Sequence, residues 1–560
     1  MNQPRQVSLT FLPIVQRELY VAARRPLTFW SRQTAAVAAV GIAFVVLLGR
    51  TELGVVAPKM SAVAEAGALM FRTVSTVAFF GCLFAGILLT ADCVSVEKRE
   101  DTLGLLFLTD LKGYDVVLGK LVARSLHAVY CLLAAVPVMA VPLLFGGVTV
   151  AEFGRSAAVL LNTLFLSLAI GLFVSTLCRH RETACMIAEG VVLFLTFLWP
   201  AALAAWASRH AAVPLPGFLF LTSPFLMFRL AFASTTMPVP PSILPSLLTQ
   251  FLLALALLAG ASWWLPQSWQ VKPPRRRLAA VNAWWHRWQF GRAASRAAFR
   301  RRLLETNPLY WLGSREQDIR RYVWGVTALL LGLGLAANMT GLAWAEPKPA
   351  LTTVLFIHGI VSVMVAIDAT GRLGGLRRNH LLQLVWSTRL SVEEIVRGQW
   401  LAIRRLFAGP VLAVLAFDAL WCVMVTVDSP ADNRWMPVVI AIMAGMFLWS
   451  LHALAWSGLW HGLKAKRTAN ATYLALGEIL AFPLLFAIAT QAASSSSGLT
   501  LMLAGWVVLS ALANTLFTWG ARSSLREQLH RFVMHPPPKT LPTMRDWNED
   551  FALVKWEKTE

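Results

Sequence analysis

The chain has 560 residues, 57% of them hydrophobic and only 14% charged, with a formal net charge of +21 and a mean hydropathy of +0.61. That much apolar side chain cannot be housed in one soluble core, so the lipid bilayer must be its solvent. The positive charge would suit nucleic acid, but most of the 50 Lys and Arg fall on alternate loops, on one side of the membrane, and this positive-inside bias leaves nucleic acid out.

In chain order, the first element is a basic entry of Arg5, Arg17, Arg24, Arg25 and Arg32, with no small-residue cleavage site after the apolar run that follows. It reads as a retained span, not a secretory signal. Continuous apolar runs of roughly 20 residues match the ~30 Å hydrocarbon layer at 1.5 Å rise per residue. They predict spans near 34–49, 69–91, 121–145, 156–178, 184–208 and 242–265, then 321–345, 350–367, 400–427, 436–460, 470–491 and 499–521. The predicted fold class is an all-α polytopic membrane protein, with about 12 transmembrane helices arranged as two parallel six-helix repeats and both termini inside. Cys82, Cys93, Cys131, Cys178, Cys185 and Cys422 lie in or beside the spans with no C-x-x-C spacing, and read as small packing residues.

The domain organisation follows from the same pass. Residues 1–265 form a first six-span unit, 266–320 a basic, Trp-rich linker, 321–521 a second unit and 522–560 a tail. In the linker, Trp284, Trp285 and Trp288 precede Arg292, Arg296 and Arg300, whose i, i+4 spacing sets the guanidinium groups on one helix face. Such a helix suits an anionic lipid surface, with contact to a soluble partner as the alternative.

The halves repeat. At a constant offset of 279 residues Leu103 meets Leu382, Thr109 meets Thr388, Leu111 meets Leu390, Asp115 meets Glu394, Gly119 meets Gly398 and Ala123 meets Ala402. Arg181-Glu182-Thr183-Ala184 before the fifth span is echoed by Arg467-Thr468-Ala469 before the eleventh, and Asp92 at the end of the second by Asp368 near the end of the eighth. A parallel repeat of this kind predicts a pseudo-twofold axis along the membrane normal. The halves differ at 209–241, where Pro214, Pro216, Pro224, Pro238, Pro240 and Pro241 break an apolar stretch. Such backbone must be covered by protein or lie at the interface, which predicts a short re-entrant or interfacial pair.

After the second span stands Glu97-Lys98-Arg99-Glu100-Asp101, then the apolar run Leu103–Leu108, Thr109, and a start into the third span through Asp115 and Gly119-Lys120. A charged turn with an amphipathic helix beneath the membrane can dock a soluble motor, or simply anchor a loop. This order of residues resembles the signature of type-2 ABC exporter permeases, with Asp110 standing where that pattern has Pro and no Gly before Thr102. Pro13–Arg25 resembles that family's interfacial helix, and Gly171–Leu177 its fourth-span ending. The resemblance implies a translocation pathway made of two six-span units, here fused, in a bacterial inner membrane. It also implies cytosolic ABC ATPase subunits as partners, with ATP bound on those subunits and no cofactor in this chain. Gly119-Lys120 has no phosphate-cradling loop around it, so any nucleotide hydrolysis belongs to a separate polypeptide. The coupling candidates are Glu97, Glu100, Asp101, Thr109 and Asp115 in the first half and Arg377, Arg378, Thr388 and Glu394 in the second. The sign reversal between Glu100-Asp101 and Arg377-Arg378 implies unlike partner surfaces and a heterodimeric ATPase.

Polar candidates within the spans are Arg72, Glu189, Asp418 and Glu478, each too costly to expose to lipid and so expected to face helices or water. Glu189 and Glu478, near the starts of the fifth and eleventh spans, are expected to flank the central seam from both sides. His127, His358 and His452 have no carboxylate at ligand spacing and read as core residues. Two rivals stand beside the permease. One is an ion-driven secondary transporter, favoured by Asp368–Arg378, which resembles the major-facilitator loop pattern. The other is a membrane enzyme, for which the outer loops carry no catalytic set.

Overall fold

In the computed structural model the described residues are 32–33, 35–44, 60–100, 102–108, 111–179, 181–200, 202–203, 221–232, 243–268, 293–315, 317–339, 347–378, 381–386, 388, 390–428, 435–465, 468–492 and 496–534. The first half contains α1 (Ala35–Phe44), α2 (Met60–Thr90), α3 (Ser95–Arg99), α4 (Leu103–Phe107), α5 (Gly113–Leu144), α6 (Val150–Leu177), α7 (Arg181–Leu193, continued by a π turn Phe194–Leu198), α8 (Pro224–Ala231) and α9 (Ile243–Ser268). After α10 (Ala293–Thr306), the second half contains α11 (Pro308–Ser314), α12 (Gln317–Met339), α13 (Pro347–Arg378), α14 (Leu381–Trp386), α15 (Val392–Asp428), α16 (Met436–Lys464), α17 (Thr468–Ala492) and α18 (Ser496–Met534). No strand occurs among the described residues.

The described part of each apolar run read from the sequence falls mainly on a helix. Among the described residues eight helices are long and apolar enough to cross a bilayer, and α1 and the described part of α7 form shorter apolar helices. The chain is an all-α, multi-pass membrane protein.

Helix pairings recur between the halves. α2 packs on α6 as α13 packs on α16, α6 on α9 as α16 on α18, and α6 on α7 as α16 on α17. Small residues let the first of these pairs close. A Cβ on Gly86 would stand 2.1 Å from the Ser167 carbonyl carbon, and one on Gly462 would stand 2.4 Å from the Thr370 carbonyl oxygen. Close approach through small residues is how helices gain packing where lipid supplies no hydrophobic drive.

Each half has its own buried core, and the two interlock. α7 lends Met186 and Leu193 to the core of the second half, while α13 lends Ile367 to that of the first. The seam between the halves therefore runs along α2, α7, α12, α13 and α17.

Within the Pro-broken stretch, the described part is the short helix α8. Ser223 caps it by accepting from Leu226 N at 3.3 Å while donating to the Thr196 carbonyl at 2.9 Å, and Arg155 Nε reaches its last carbonyl, Ala231, at 3.3 Å. Phe228 stacks on Phe79 of α2 with centroids 4.5 Å apart, so α8 is covered by protein. That satisfies the backbone requirement behind the re-entrant expectation.

Candidate functional site: two bonded turns at one end and the seam above them

The junction after α2 is built by hydroxyls. Thr90 Oγ1 donates to the Gly86 carbonyl at 2.7 Å and to Leu168 of α6 at 2.9 Å. Where the helix breaks over 91–94, Ser175 Oγ accepts from Val94 N at 2.9 Å and from Ser95 N at 3.1 Å, replacing the partners that the break removes. Asp92 then gathers the turn: its Oδ1 accepts from Ser95 Oγ at 2.8 Å and from Arg99 Nη2 at 3.0 Å, and its Oδ2 lies 3.9 Å from Arg181 Nε.

The matching end of the second half uses the same device in a different register. Arg372 Nε bonds Asp368 Oδ2 at 2.6 Å, and its Nη1 donates to the Gly313 carbonyl at 3.1 Å, tying α13 to α11. Asn307, the N-cap of α11, donates from Nδ2 to the Glu394 carbonyl at 2.8 Å and fixes α11 to α15. Asp368 through Arg378 thus lie inside one continuous helix, whereas the major-facilitator pattern needs them on a loop. The feature that favoured the ion-driven rival is helix interior.

The repeat extends further back than the sequence comparison carried it. Lys98 Nζ donates to the Thr176 carbonyl at the end of α6, and Arg377 Nη1 donates to the Leu463 carbonyl, and at 3.2 Å to Lys464, at the end of α16. Lys98 and Arg377 stand at the same offset of 279, and each cation neutralises the partial negative charge of a helix C-terminus. Asp115 and Glu394 are likewise equivalent in space. Asp115 Oδ2 accepts from Lys112 N at 3.0 Å and Glu394 Oε2 from Ser391 N at 2.8 Å, each closing the first turn of the helix that follows.

These bonds sort the coupling candidates. Glu97 is held 2.7 Å from Lys120 Nζ and braces α3 against α5. Asp115, Glu394 and Arg377 serve as helix-end bonds, and Thr388 Oγ1 donates to its own turn at Val385. Glu100 is exposed. Asp101, Thr109 and the side chain of Arg378 lie outside what the structure describes, as do the linker residues Trp284, Trp285, Trp288 and Arg292. The sign reversal loses its footing at Arg377, whose counterpart Lys98 has the same charge and the same task.

Inside the bilayer-spanning part the acids differ in their surroundings. Asp418 Oδ2 meets His358 Nε2 at 2.9 Å, both residues buried, with the imidazole stacked on Phe447 at 4.1 Å and 7°. Glu478 accepts from Ser457 Oγ at 2.7 Å and meets His461 Nε2 at 2.8 Å. His358 is a buried, bonded residue of the core; its carboxylate lies on another helix, 60 residues away, where local spacing carries no signal. His461 was missed for the same reason. Glu189 is 0% exposed and neither of its oxygens has a hydrogen-bond partner. Arg72 is exposed on α2.

Glu189 and Glu478 are not equivalent. Aligning Thr183-Ala184 with Thr468-Ala469 sets Glu189 against Leu474 and Glu478 against Leu193. What joins the halves lower in the seam is a polar cluster: Arg181 Nη2 donates to Thr472 Oγ1 at 3.3 Å, and Thr472 shares a 2.8 Å hydroxyl contact with Thr370. All three are buried. Among the described residues, no group of three or more His, Cys, Asp or Glu could hold a metal.

The described residues form a multi-pass bundle in which helix pairings recur between the two halves. Residues 51–262 match the family described as ABC-2 family transporter protein. No curated protein matches the chain.

Proposed function

We propose that the chain is the complete translocation unit of an ABC-type exporter. Two six-span permease units are fused in one polypeptide and driven by separate cytosolic ATPase subunits that carry the ATP. The observation that supports this reading best is the pair of equivalent ends, in which Lys98 on α3, after the second span, and Arg377 in the last turn of the eighth span bond the C-termini of α6 and α16. A short helix held rigidly at a span end transmits rotation that a free loop would absorb. The bonded residues Glu97, Asp115, Arg377 and Glu394 give that rigidity, and Glu100 with Asp101 presents charge to the motor. At the offset of 279 these two acids face Asn379 and His380, so the two docking surfaces differ and a heterodimeric ATPase fits them.

The chain sits in a bacterial inner membrane with both termini and the 266–320 linker in the cytoplasm, the arrangement that the Lys and Arg bias requires. Reporter fusions at residues 290 and 555 behave as cytosolic if this holds.

The test of coupling is charge reversal. Glu100→Lys with Asp101→Lys abolishes co-purification of the ATPase while the chain still inserts and elutes as the wild type does. Unchanged association and transport would make this segment an ordinary connection.

A further inference from the structure

Glu189 is left unbonded in a place where an unpaired charge is expensive. Its place follows from its neighbours on α7. Met186, about one turn before it, and Leu193, about one turn after, both belong to the core of the second half, whereas Cys185, Ala188 and Val192 belong to that of the first. Met186 and Leu193 flank Glu189 on one side and Cys185 and Val192 on the other, so the carboxylate stands on the boundary between the two cores, in the seam. Gly190 beside it confirms the approach, since a Cβ there would lie 3.5 Å from Val326 of α12.

Beyond Leu193 the helix widens into the π turn Phe194–Leu198. An α turn takes 3.6 residues and a π turn close to one residue more. The step from Glu189 to Phe197 therefore closes about two full turns and returns the Phe197 ring to the side of the acid, about 12 Å along the helix. Phe197 packs against the second half's core, as this geometry requires. Its ring meets Phe356 of α13 at 5.0 Å, Phe225 of α8 at 5.2 Å and Phe80 of α2 at 6.3 Å, and Phe80 meets Phe356 at 5.7 Å. Rings from both halves thus stand over the seam on the same side as the unpartnered carboxylate. A regular α-helix through 194–198 would have set Phe197 about 80° round the helix from Glu189.

We propose that Glu189 and this aromatic cluster form the binding site for a lipophilic organic cation, a bulky amine or quaternary group carried in the seam between the halves. This deepens the permease reading and rests on it for the direction of transport, but not for binding. The carboxylate supplies the opposite charge, the ring faces attract a cation through their quadrupoles, and the apolar walls receive its hydrophobic body. An anionic cargo would meet only repulsion at Glu189. π turns inside helices recur at functional sites, and here the turn has a definite task, the alignment of ring and acid.

The probe is tetraphenylphosphonium, with tetraphenylborate as an ion of like shape and opposite charge, titrated onto the purified full-length chain in detergent. The wild type binds the cation saturably and prefers it to the anion. Glu189→Gln, which keeps the shape and removes the charge, weakens cation binding about tenfold or more and erases the preference. Phe197→Leu, with the acid untouched, weakens it several-fold. Should Glu189→Gln fail to fold, Glu189→Asp retains the preference and Phe197→Leu still reports on the rings. Equal binding of both ions by the wild type, no binding of the cation, or Glu189→Gln binding as the wild type does would each overturn the site. Because no ATPase is present, such a failure leaves the permease reading standing. Selective cation binding without any ATPase association would do the reverse.

Discussion

The two halves share helix pairings and end bonds, yet they differ in how they treat the acids inside their spans. In the second half Asp418 is bonded to His358, and Glu478 to His461 and Ser457, all within one bundle. In the first half Glu189 lies buried in the seam between the two cores, and neither of its oxygens has a hydrogen-bond partner. A buried carboxylate is tolerated when paired or neutral, and a lone one at an interface marks a place where something else arrives. The second half therefore reads as the more rigid frame and the first as the half that offers its acid to the seam.

Breaking a pair in the second half sharpens this contrast most. His358→Ala removes both the hydrogen bond and the stack on Phe447, and is expected to cost about 3 kcal/mol or more by the behaviour of broken buried pairs. His461→Ala costs less, because Glu478 keeps the Ser457 hydroxyl and is less deeply buried. Thermal unfolding in detergent compares the two, and equal losses would show that burial does not govern the pairs.

The close helix contact in the first half ranks next. Gly86→Ala forces a methyl into the Ser167 backbone and costs about 1–3 kcal/mol, the usual range for overpacking. Gly81→Ala, on the same helix with nothing within 4 Å, leaves stability unchanged. Loss of fold in both variants would mean that α2 tolerates no Cβ anywhere along this stretch, and the argument from contact would fail.

Much of this fold was legible in the sequence because apolar runs of span length are set by the bilayer itself. The repeat was legible where spacing is rigid: Asp115 and Glu394 matched because both close the first turn of a span. Lys98 and Arg377 were also legible at the same offset, although the different charge of their neighbours hid the match. Pairs such as His358 with Asp418 were not, since packing between distant helices leaves no local spacing to read. The π turn at Phe194–Leu198 was hidden too, because Phe-Leu-Thr-Phe-Leu carries an ordinary helical pattern.

Smaller effects follow at the helix ends. Asp115→Ala should cost about 0.5–2 kcal/mol, as a lost N-terminal cap does, and Glu394→Ala, at an exposed end, should lower stability less. Their losses should add, because the two residues lie on different helices, α5 and α15. The smallest change belongs to Glu189→Gln, which removes an unpaired acid and should leave unfolding unchanged or slightly raised. A large loss there would reveal a bond that the acid makes within the protein.

The central claim, that one chain supplies both permease units to a pair of motors, is tested most directly by the mass of the intact complex with its ATPase. Native mass spectrometry is predicted to find one permease chain bound to two ATPase protomers, with no ATP hydrolysis by the permease alone. Two permease chains bound to two ATPases, or hydrolysis by the isolated chain, would contradict the account.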